Sequence, residues 1–344
     1  MKSEIDAEQA RPKISVVIPL FNKASTIGET IESVCLQTCR NIEILVVDDG
    51  STDGGLQVVK KNPDNRIKII SQTNQGQSAA RNRGLESALG SYIAFIDGDD
   101  RWDKTHLESM LKLSESFPNA GIYATAYRTN FGGGRVIETK VSEIGRNLES
   151  FLLPDYFRLA SLAPVIWVGA AMVPKTVFDE IGGFLAGEHR GADREMWARI
   201  ACNYDIAYAP TVSVTYDCDT LGRESNKARE LQWPPLLNLL DENIKNTPMS
   251  WCAKGLRQYR NAVLYGFIAK AAVAGDRSTA VAAWRYTKIL DFSSMLRIAW
   301  MFFVIVLPNG VGRVLLRILG SRIFFPIKRY WLRIHGIHLD RDSK

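Results

Sequence analysis

Short apolar runs alternate with amphipathic stretches through the first third of the chain. ISVVI (14–18), EILVV (43–47), RIKII (66–70) and SYIAFI (91–96) have the length and β-branched content of buried strands. Between them the apolar residues change to helical spacing. Thr26 and Glu29 predict a capping box, after which Ile27, Ile31, Val34 and Cys35 share one face. A short helix follows Ser51 and stops at Pro63, a third spans 77–89 and closes at Gly90, and Thr105 and Glu108 open a fourth that ends at Pro118. Strands about 25 residues apart with helices between them predict a parallel α/β sheet.

The pattern then changes. IYATAYRTN (122–130) and RVIETKV (135–141) flank a glycine-rich turn and predict a β-hairpin. An apolar strand is expected over 165–173, a short helix over 176–182, and a helix over 191–203 carrying Asp193 and Trp197. Beyond about residue 226 the spacing is helical, with an alanine-rich helical hairpin expected from 251–274 and 276–290. No internal period marks a repeat array.

Composition narrows the class. The 344 residues are 46% apolar with a net charge of +6, an ordinary globular balance that excludes a disordered or collagen-like chain. The charge is uneven: residues 297–344 hold nine basic and two acidic side chains, a net of +7, which leaves residues 1–296 at −1. A near-neutral body argues against a nucleic-acid-binding protein. Five scattered cysteines (35, 39, 202, 218 and 252) form neither a disulfide framework nor zinc spacing, so reduced thiols in a cytosolic compartment are expected. Residues 1–13 are polar and lack the apolar stretch of a signal peptide.

The chemistry is concentrated at strand ends. Ligands of open α/β sheets bind outside the carboxyl ends of the strands. Here those ends deliver Pro19, Phe21 and Asn22, then Asp48, Asp49 and Ser51, then Asp97, Asp99 and Asp100. Five carboxylates on one edge repel one another unless a cation or hydrogen-bond donors compensate. An all-oxygen set suits Mg²⁺ or Mn²⁺ completed by substrate phosphates. Asp48 serves equally well as the cap of its own turn. The segment PLFNKAST has no glycine before Gly28, so neither a dinucleotide fingerprint nor a P-loop is present.

ISVVIPLFNK (14–23), EILVVDDGSTDG (43–54), NQGQSAARNRGL (74–85) and YIAFIDGDDRWDK (92–104) resemble, in order, the signatures of glycosyltransferase family 2. WVGAAMVPKTVFDEIGGF (167–184) is similar to the family's segment over the donor sugar, and GADREMWARI (191–200) to its acceptor-site helix. The resemblance implies a GT-A fold, an α/β nucleotide-diphospho-sugar transferase with a mixed sheet, here with a C-terminal helical extension. It implies nucleotide-binding roles for Pro19, Phe21, Asn22, Asp49, Arg81 and Asp97. Phe21 would flank the nucleobase, Asp49 would bond the uracil or ribose, and Arg81 would lie near the phosphates. Asp97 and Asp99 would be the D-x-D pair, with Asp99 ligating Mg²⁺ or Mn²⁺ and Asp97 facing the ribose and metal. Asp193 would be the catalytic base, although the family usually has Glu-Asp where this chain has Ala192-Asp193, and Glu188, His189 and Glu195 are close enough to compete. Trp102 and Trp197 read as packing residues. No Q-x-x-R-W motif of processive synthases is present, and TYDCDTLGRES (215–225) lacks the histidine of many relatives, which leaves contacts of Asp217, Asp219 or Arg223 with the diphosphate open.

The expected activity is metal-dependent, inverting transfer of one sugar, of the hexosyltransferase type, from a nucleotide-diphosphate sugar, by default a UDP-sugar, to an acceptor hydroxyl. The rivals are a nucleotidyltransferase on a similar core and a catalytically silent nucleotide-sugar-binding module. The expected organisation is an N-terminal tail (1–13), a catalytic domain (14–225), a helical region (226–291) and a basic tail (292–344). Within the catalytic domain, 14–107 bind the nucleotide sugar and 108–225 the acceptor. The tail holds IAWMFFVIVL (298–307), about 15 Å as a helix and too short to span a bilayer. Its apolar-basic alternation with Trp and Tyr fits interfacial helices on an anionic membrane. The alternative is packing on the catalytic domain or a contact in a homo-oligomer. The resemblance therefore implies a lipid-linked saccharide or glycan acceptor in surface-polysaccharide synthesis, and a cytoplasmic protein peripherally attached to the inner face of the membrane.

Overall fold

The structure is a computed structural model that describes residues 11–139, 141, 148–187, 191–218, 231–246 and 251–286. Contacts divide the chain into two units, Met1–Tyr156 with Val165–Ala228, and Phe157–Pro164 with Arg229–Lys344.

The first unit is built on a mixed sheet. Its strands are β1 (Ile14–Leu20), β2 (Ile42–Asp48), β3 (Ile67–Ser71), β4 (Tyr92–Phe95), β5 (Arg101–Trp102), β6 (Ile122–Asn130), β7 (Val136–Glu138), β8 (Phe151–Leu152), β9 (Ala171–Pro174) and β10 (Ile206–Asp217). Their order is β3-β2-β1-β4-β9-β6-β10-β5, with β7 on β6 and β8 on β10. The strands β3, β2, β1 and β4 are parallel. Strand β9 runs antiparallel between β4 and β6, and this makes the sheet mixed. Every residue of β1 and β2 is buried, as expected for strands covered on both faces. The sequence's polar intrusions into these strands answer each other. Ser15 and the amide of Leu89 donate to Glu43 at 2.6 and 2.7 Å, and Lys68 closes the other carboxylate oxygen at 2.8 Å. Those three donors outweigh burial and hold the Glu43 pKa below its ordinary value.

The helices of this unit are α1 (Ile27–Cys35), α2 (Gly55–Lys60), α3 (Gln77–Ser87), α4 (His106–Ser116), then α6 (Lys175–Ile181) and α7 (Ala192–Ala201), which follow α5 (Tyr156–Leu162). Helix α1 buries Ile27, Thr30, Ile31 and Val34, close to its expected face. Its expected capping box does not form. The Thr26 hydroxyl donates to the Gly98 carbonyl at 2.8 Å, and Glu29 pairs with Arg101. Tertiary partners have taken both side chains. Helix α3 buries Ser78, Ala80, Arg81 and Gly84 in place of an apolar stripe. It lies so close to β1 that a Cβ on Gly84 would come within 2.3 Å of Val17. The apolar strand expected over 165–173 is confined to 171–174. Residues Val168–Ala170 form a 3₁₀ turn, because the Gly169 carbonyl accepts from Trp102 and Trp167 donates to Asp100, both at 2.6 Å. The hairpin of β6 and β7 forms as expected.

In the second unit, α8 (Pro235–Asn246), α9 (Trp251–Ala274) and α10 (Arg277–Trp284) follow in sequence. The helical hairpin forms with small residues at its core, Ala271, Ala280 and Ala283 being buried. Asp276 caps α10 by accepting from Thr279 N at 3.0 Å. Residues 287–290 of the expected second helix, and the whole 292–344 tail, lie outside the described residues. Among the described residues no helix is long and apolar enough to cross a membrane.

Candidate active site

The chain runs from β1 outward to β2 and β3, then returns to place β4 on the other side of β1. The gap between the carboxyl ends of β1 and β4 is therefore the topological switch point, where open α/β sheets form their ligand crevice. Residues Pro19–Lys23 leave β1 on one side of it, and Asp97–Asp100 leave β4 on the other.

The β1 loop is held from both flanks. Asn22 adopts φ 51°, a left-handed conformation that asparagine tolerates. Its carboxamide oxygen accepts from Thr52 N at 2.8 Å, and its backbone N–H donates to the Ser51 hydroxyl at 3.2 Å. Asp53 accepts from Ala24 N at 2.8 Å. On the other flank, Thr26 is bonded to Gly98, and Lys23 Nζ lies 2.5 Å from Asp99 Oδ2. Pro19 is buried as part of β1, and Phe21 is partly exposed just beyond its end.

The acids at the end of β2 are buried and closed by amide donors. Asp48 accepts from Ser51 N at 3.1 Å, the turn-capping geometry anticipated for it. Asp49 is 2% exposed. Its Oδ1 accepts from Gln72 Nε2 and Gln75 N, and its Oδ2 from Gly76 N, each at 2.8 Å. Asp49 thereby fixes the loop that launches α3.

Helix α3 in turn presents Arg81. Its guanidinium is buried, donates to Asp97 Oδ1 at 2.7 Å and sits 5.3 Å over the Phe184 ring. Gln77, one turn earlier, donates to the same oxygen at 2.9 Å. Asn82 locks the segment carrying Phe184 through reciprocal 2.8 Å bonds with Phe184 N and O. A Cβ on Gly183 would come within 2.5 Å of Asn82 Oδ1, so a side chain there would displace the Asn82 carboxamide from its bonds to Phe184. Phe184 also packs edge-on against Phe95 of β4. Arg81 is thus wedged between the β4 turn and the segment before α7.

The three acids of the β4 turn differ in environment. Asp97 and Asp99 have cationic partners, Arg81 and Lys23. Asp100 is fully buried, bonded by Trp167 Nε1 at 2.6 Å and Asp217 N at 3.2 Å. Burial, with the charges of Asp97 and Asp99, pushes its pKa well above the ordinary carboxylate value. Asp217 itself pairs with Arg101 at 3.1 Å.

Asp193 lies in the first turn of α7, after Gly191 at φ 88°. It keeps some solvent access, yet protein surrounds it closely enough that burial raises its pKa. The charges of Arg81 and Arg194 oppose that rise, and Asp97 adds to it. Arg81 and Asp97 therefore belong to the electrostatic surroundings of Asp193. Glu195 is committed elsewhere: Arg199 binds both its oxygens, at 2.9 and 2.8 Å, and also holds the carbonyls of Ile181 and Gly183. Glu188, His189, Asp219 and Arg223 lie outside the described residues. Trp102 and Trp197 are buried and pack in the interior.

Among the described residues no cluster of three or more histidine, cysteine or acidic side chains could hold a metal. The donor set fits a hard divalent cation nonetheless. Mg²⁺ and similar ions commonly take one or two carboxylates and complete their shell with substrate phosphates and water. Asp97 and Asp99, on one turn at the crevice, would supply those two.

Lys23, Gln77 and Phe184 were not singled out by sequence reasoning. Lys23 and Gln77 stand inside recognised signatures, PLFNK and NQGQSAARN, which was the available signal; for Phe184 the IGGF segment offered a weaker one.

A mixed α/β sheet with an acidic turn at its switch point places the first unit in the GT-A class of glycosyltransferase folds. Staphylococcus aureus TarS 1–349, solved with UDP-GlcNAc, superposes with a TM-score of 0.59 at 18% identity, covering 94% of this chain and 90% of that one. The mannosyltransferase PcManGT of Pyrobaculum calidifontis, solved with GDP-Man and Mn²⁺, gives 0.55 at 18% identity, covering 95% and 86%. Residues 15–182, just under half of the chain, match the profile of glycosyl transferase family 2, and this segment is a domain of that family. An uncharacterized glycosyltransferase of Rickettsia felis is 35% identical over 201 residues, 56% of this chain and 31% of the relative. A cholesterol galactosyltransferase of Borreliella burgdorferi is 45% identical over 106 residues, 30% of each chain. The matches span about a third of the length of these relatives.

Proposed function

We propose that the chain is an inverting, non-processive glycosyltransferase that moves one sugar from a nucleotide-diphosphate sugar to an acceptor hydroxyl. The observation that carries this reading is Arg81: it bonds Asp97 of the β4 turn, and its charge opposes the burial that raises the pKa of Asp193. The donor turn and the candidate base thus share one buried cation.

In this reading Phe21 flanks the nucleobase and Asn22 holds the β1 loop that receives it. Asp49 acts chiefly by fixing the 72–76 loop, and its remaining acceptor capacity is available to the nucleoside. Asp97 and Asp99 hold Mg²⁺ or Mn²⁺, which when bound offsets the charge of the departing diphosphate. Asp193 takes the proton of the acceptor hydroxyl as that oxygen attacks the anomeric carbon. Burial raises its pKa, so its ionised carboxylate is a stronger base than that of an ordinary aspartate. Single displacement inverts the anomeric configuration.

A UDP-sugar is our choice of donor, supported by the TarS complex with UDP-GlcNAc, while the GDP-Man complex of PcManGT keeps GDP-sugars in the test. A lipid-linked or glycan acceptor at a membrane surface is supported by the apolar-basic sequence of 292–344 and by a relative named for transfer to cholesterol. The test is a panel of UDP-, GDP- and dTDP-sugars with Mn²⁺. Release of free nucleoside diphosphate supports the proposal. Pyrophosphate would make the protein a nucleotidyltransferase, and binding without turnover across acceptors would make it a binding module. Deletion of 292–344 should release the protein from anionic vesicles, and full-length protein that ignores such vesicles refutes the membrane part.

A further inference from the structure

We propose that Lys23 is a built-in counter-ion for Asp99 that an arriving divalent cation displaces, so that the site takes its metal together with the donor diphosphate, which receives the freed ammonium. This rests on the reading of the β4 turn as the donor-diphosphate site.

The two acids of the turn are each matched by a protein cation, but the two cations differ in mobility. Arg81 is only 4% exposed and wedged against Phe184. Lys23 and Asp99 are 17% and 11% exposed, and Lys23 Nζ meets Asp99 Oδ2 at 2.5 Å. The root of Lys23 is fixed. Its carbonyl accepts from Thr26 N and Ile27 N at 3.1 and 2.9 Å at the start of α1. Its stem crosses the turn itself, since a Cβ on Gly98 would lie 3.6 Å from Lys23 Cγ. An ammonium on a four-carbon stem can swing about that fixed root, whereas a stacked, buried guanidinium cannot.

A divalent ion and an ammonium cannot both occupy the same carboxylate corner without strong repulsion. Displacement therefore falls on Lys23. Once displaced, the ammonium needs an anion within reach of a root that has not moved, and the donor diphosphate is the anion that arrives at this crevice. Metal and nucleotide then reinforce each other's binding by a common factor.

The probe is Mn²⁺, with unbound ion read by electron paramagnetic resonance, with and without UDP, on the full chain and its Lys23→Met, Lys23→Gln and Lys23→Arg variants. Circular dichroism confirms folding. Without nucleotide, Lys23→Met and Lys23→Gln should bind Mn²⁺ about tenfold more tightly than wild type, and Lys23→Arg should not, a size typical of coupled charges. UDP should tighten Mn²⁺ binding more in wild type than in Lys23→Met. If wild type binds Mn²⁺ with UDP and the folded Met and Gln variants hold Mn²⁺ alone no more tightly, the proposal is overturned while the donor-site reading survives. If no form binds Mn²⁺ even with UDP, both fall.

Discussion

The ends of β2 and β4 look alike in sequence, each a cluster of aspartates after a buried strand, yet the structure uses them oppositely. At the β2 end, Asp48 and Asp49 are closed by amide donors: Ser51, Gln75 and Gly76 from the backbone, and the Gln72 side chain. At the β4 end, Asp97 and Asp99 are met by mobile or bridging cations, and Asp100 is set behind them in the interior. Backbone amides hold a loop and cannot leave. Side-chain cations can be exchanged for a metal or shared with a substrate. An acidic strand end is therefore scaffold or chemistry according to what neutralises it.

That contrast can be broken by substitution. Asp99→Ala should lower metal-dependent turnover at least about 10³-fold, with stability changed by less than about 1 kcal/mol, because Lys23 can turn to solvent. Steady-state kinetics with a thermal melt reads both, and a variant that loses stability in step with activity would erase the distinction. Asp49→Ala should do the reverse. It leaves the amides of Gln75 and Gly76 without their carboxylate and should cost about 2 kcal/mol in denaturant unfolding, with turnover reduced mainly through a higher KM for the donor. The smallest effect concerns pH. Asp193 must be ionised to accept a proton, so kcat should fall as pH drops through its pKa, which burial places above the ordinary aspartate value. Arg81→Met removes a charge that lowers this pKa, so the acidic limb should move to higher pH in that variant; a limb that stays put would separate Arg81 from Asp193.

Much of this was legible in the sequence because strand ends are local. The runs 14–18, 43–47, 66–70 and 91–96 marked the parallel half of the sheet, and their last residues marked the crevice. What could not be read was partnership across the fold. Thr26 and Glu29 have capping spacing, but a carbonyl 72 residues away and Arg101 claimed them. Residues 165–173 are apolar enough for a continuous strand, but bonds to Trp102 and Asp100 turn the chain at Val168–Ala170. Asp49 and Asp97 both read as nucleotide ligands. The amide donors that close the first, from Gln72, Gln75 and Gly76, are brought to it by the fold, and no spacing rule encodes them.

The proposed mechanism requires the donor turn and Asp193 to form one site around Arg81. Single-turnover transfer by Asp193→Asn, with nucleotide binding followed calorimetrically in the same preparation, tests it most directly. Nucleotide affinity should be unchanged and transfer slowed about 10²-fold or more. Transfer at the wild-type rate would contradict that mechanism and move the base to another residue.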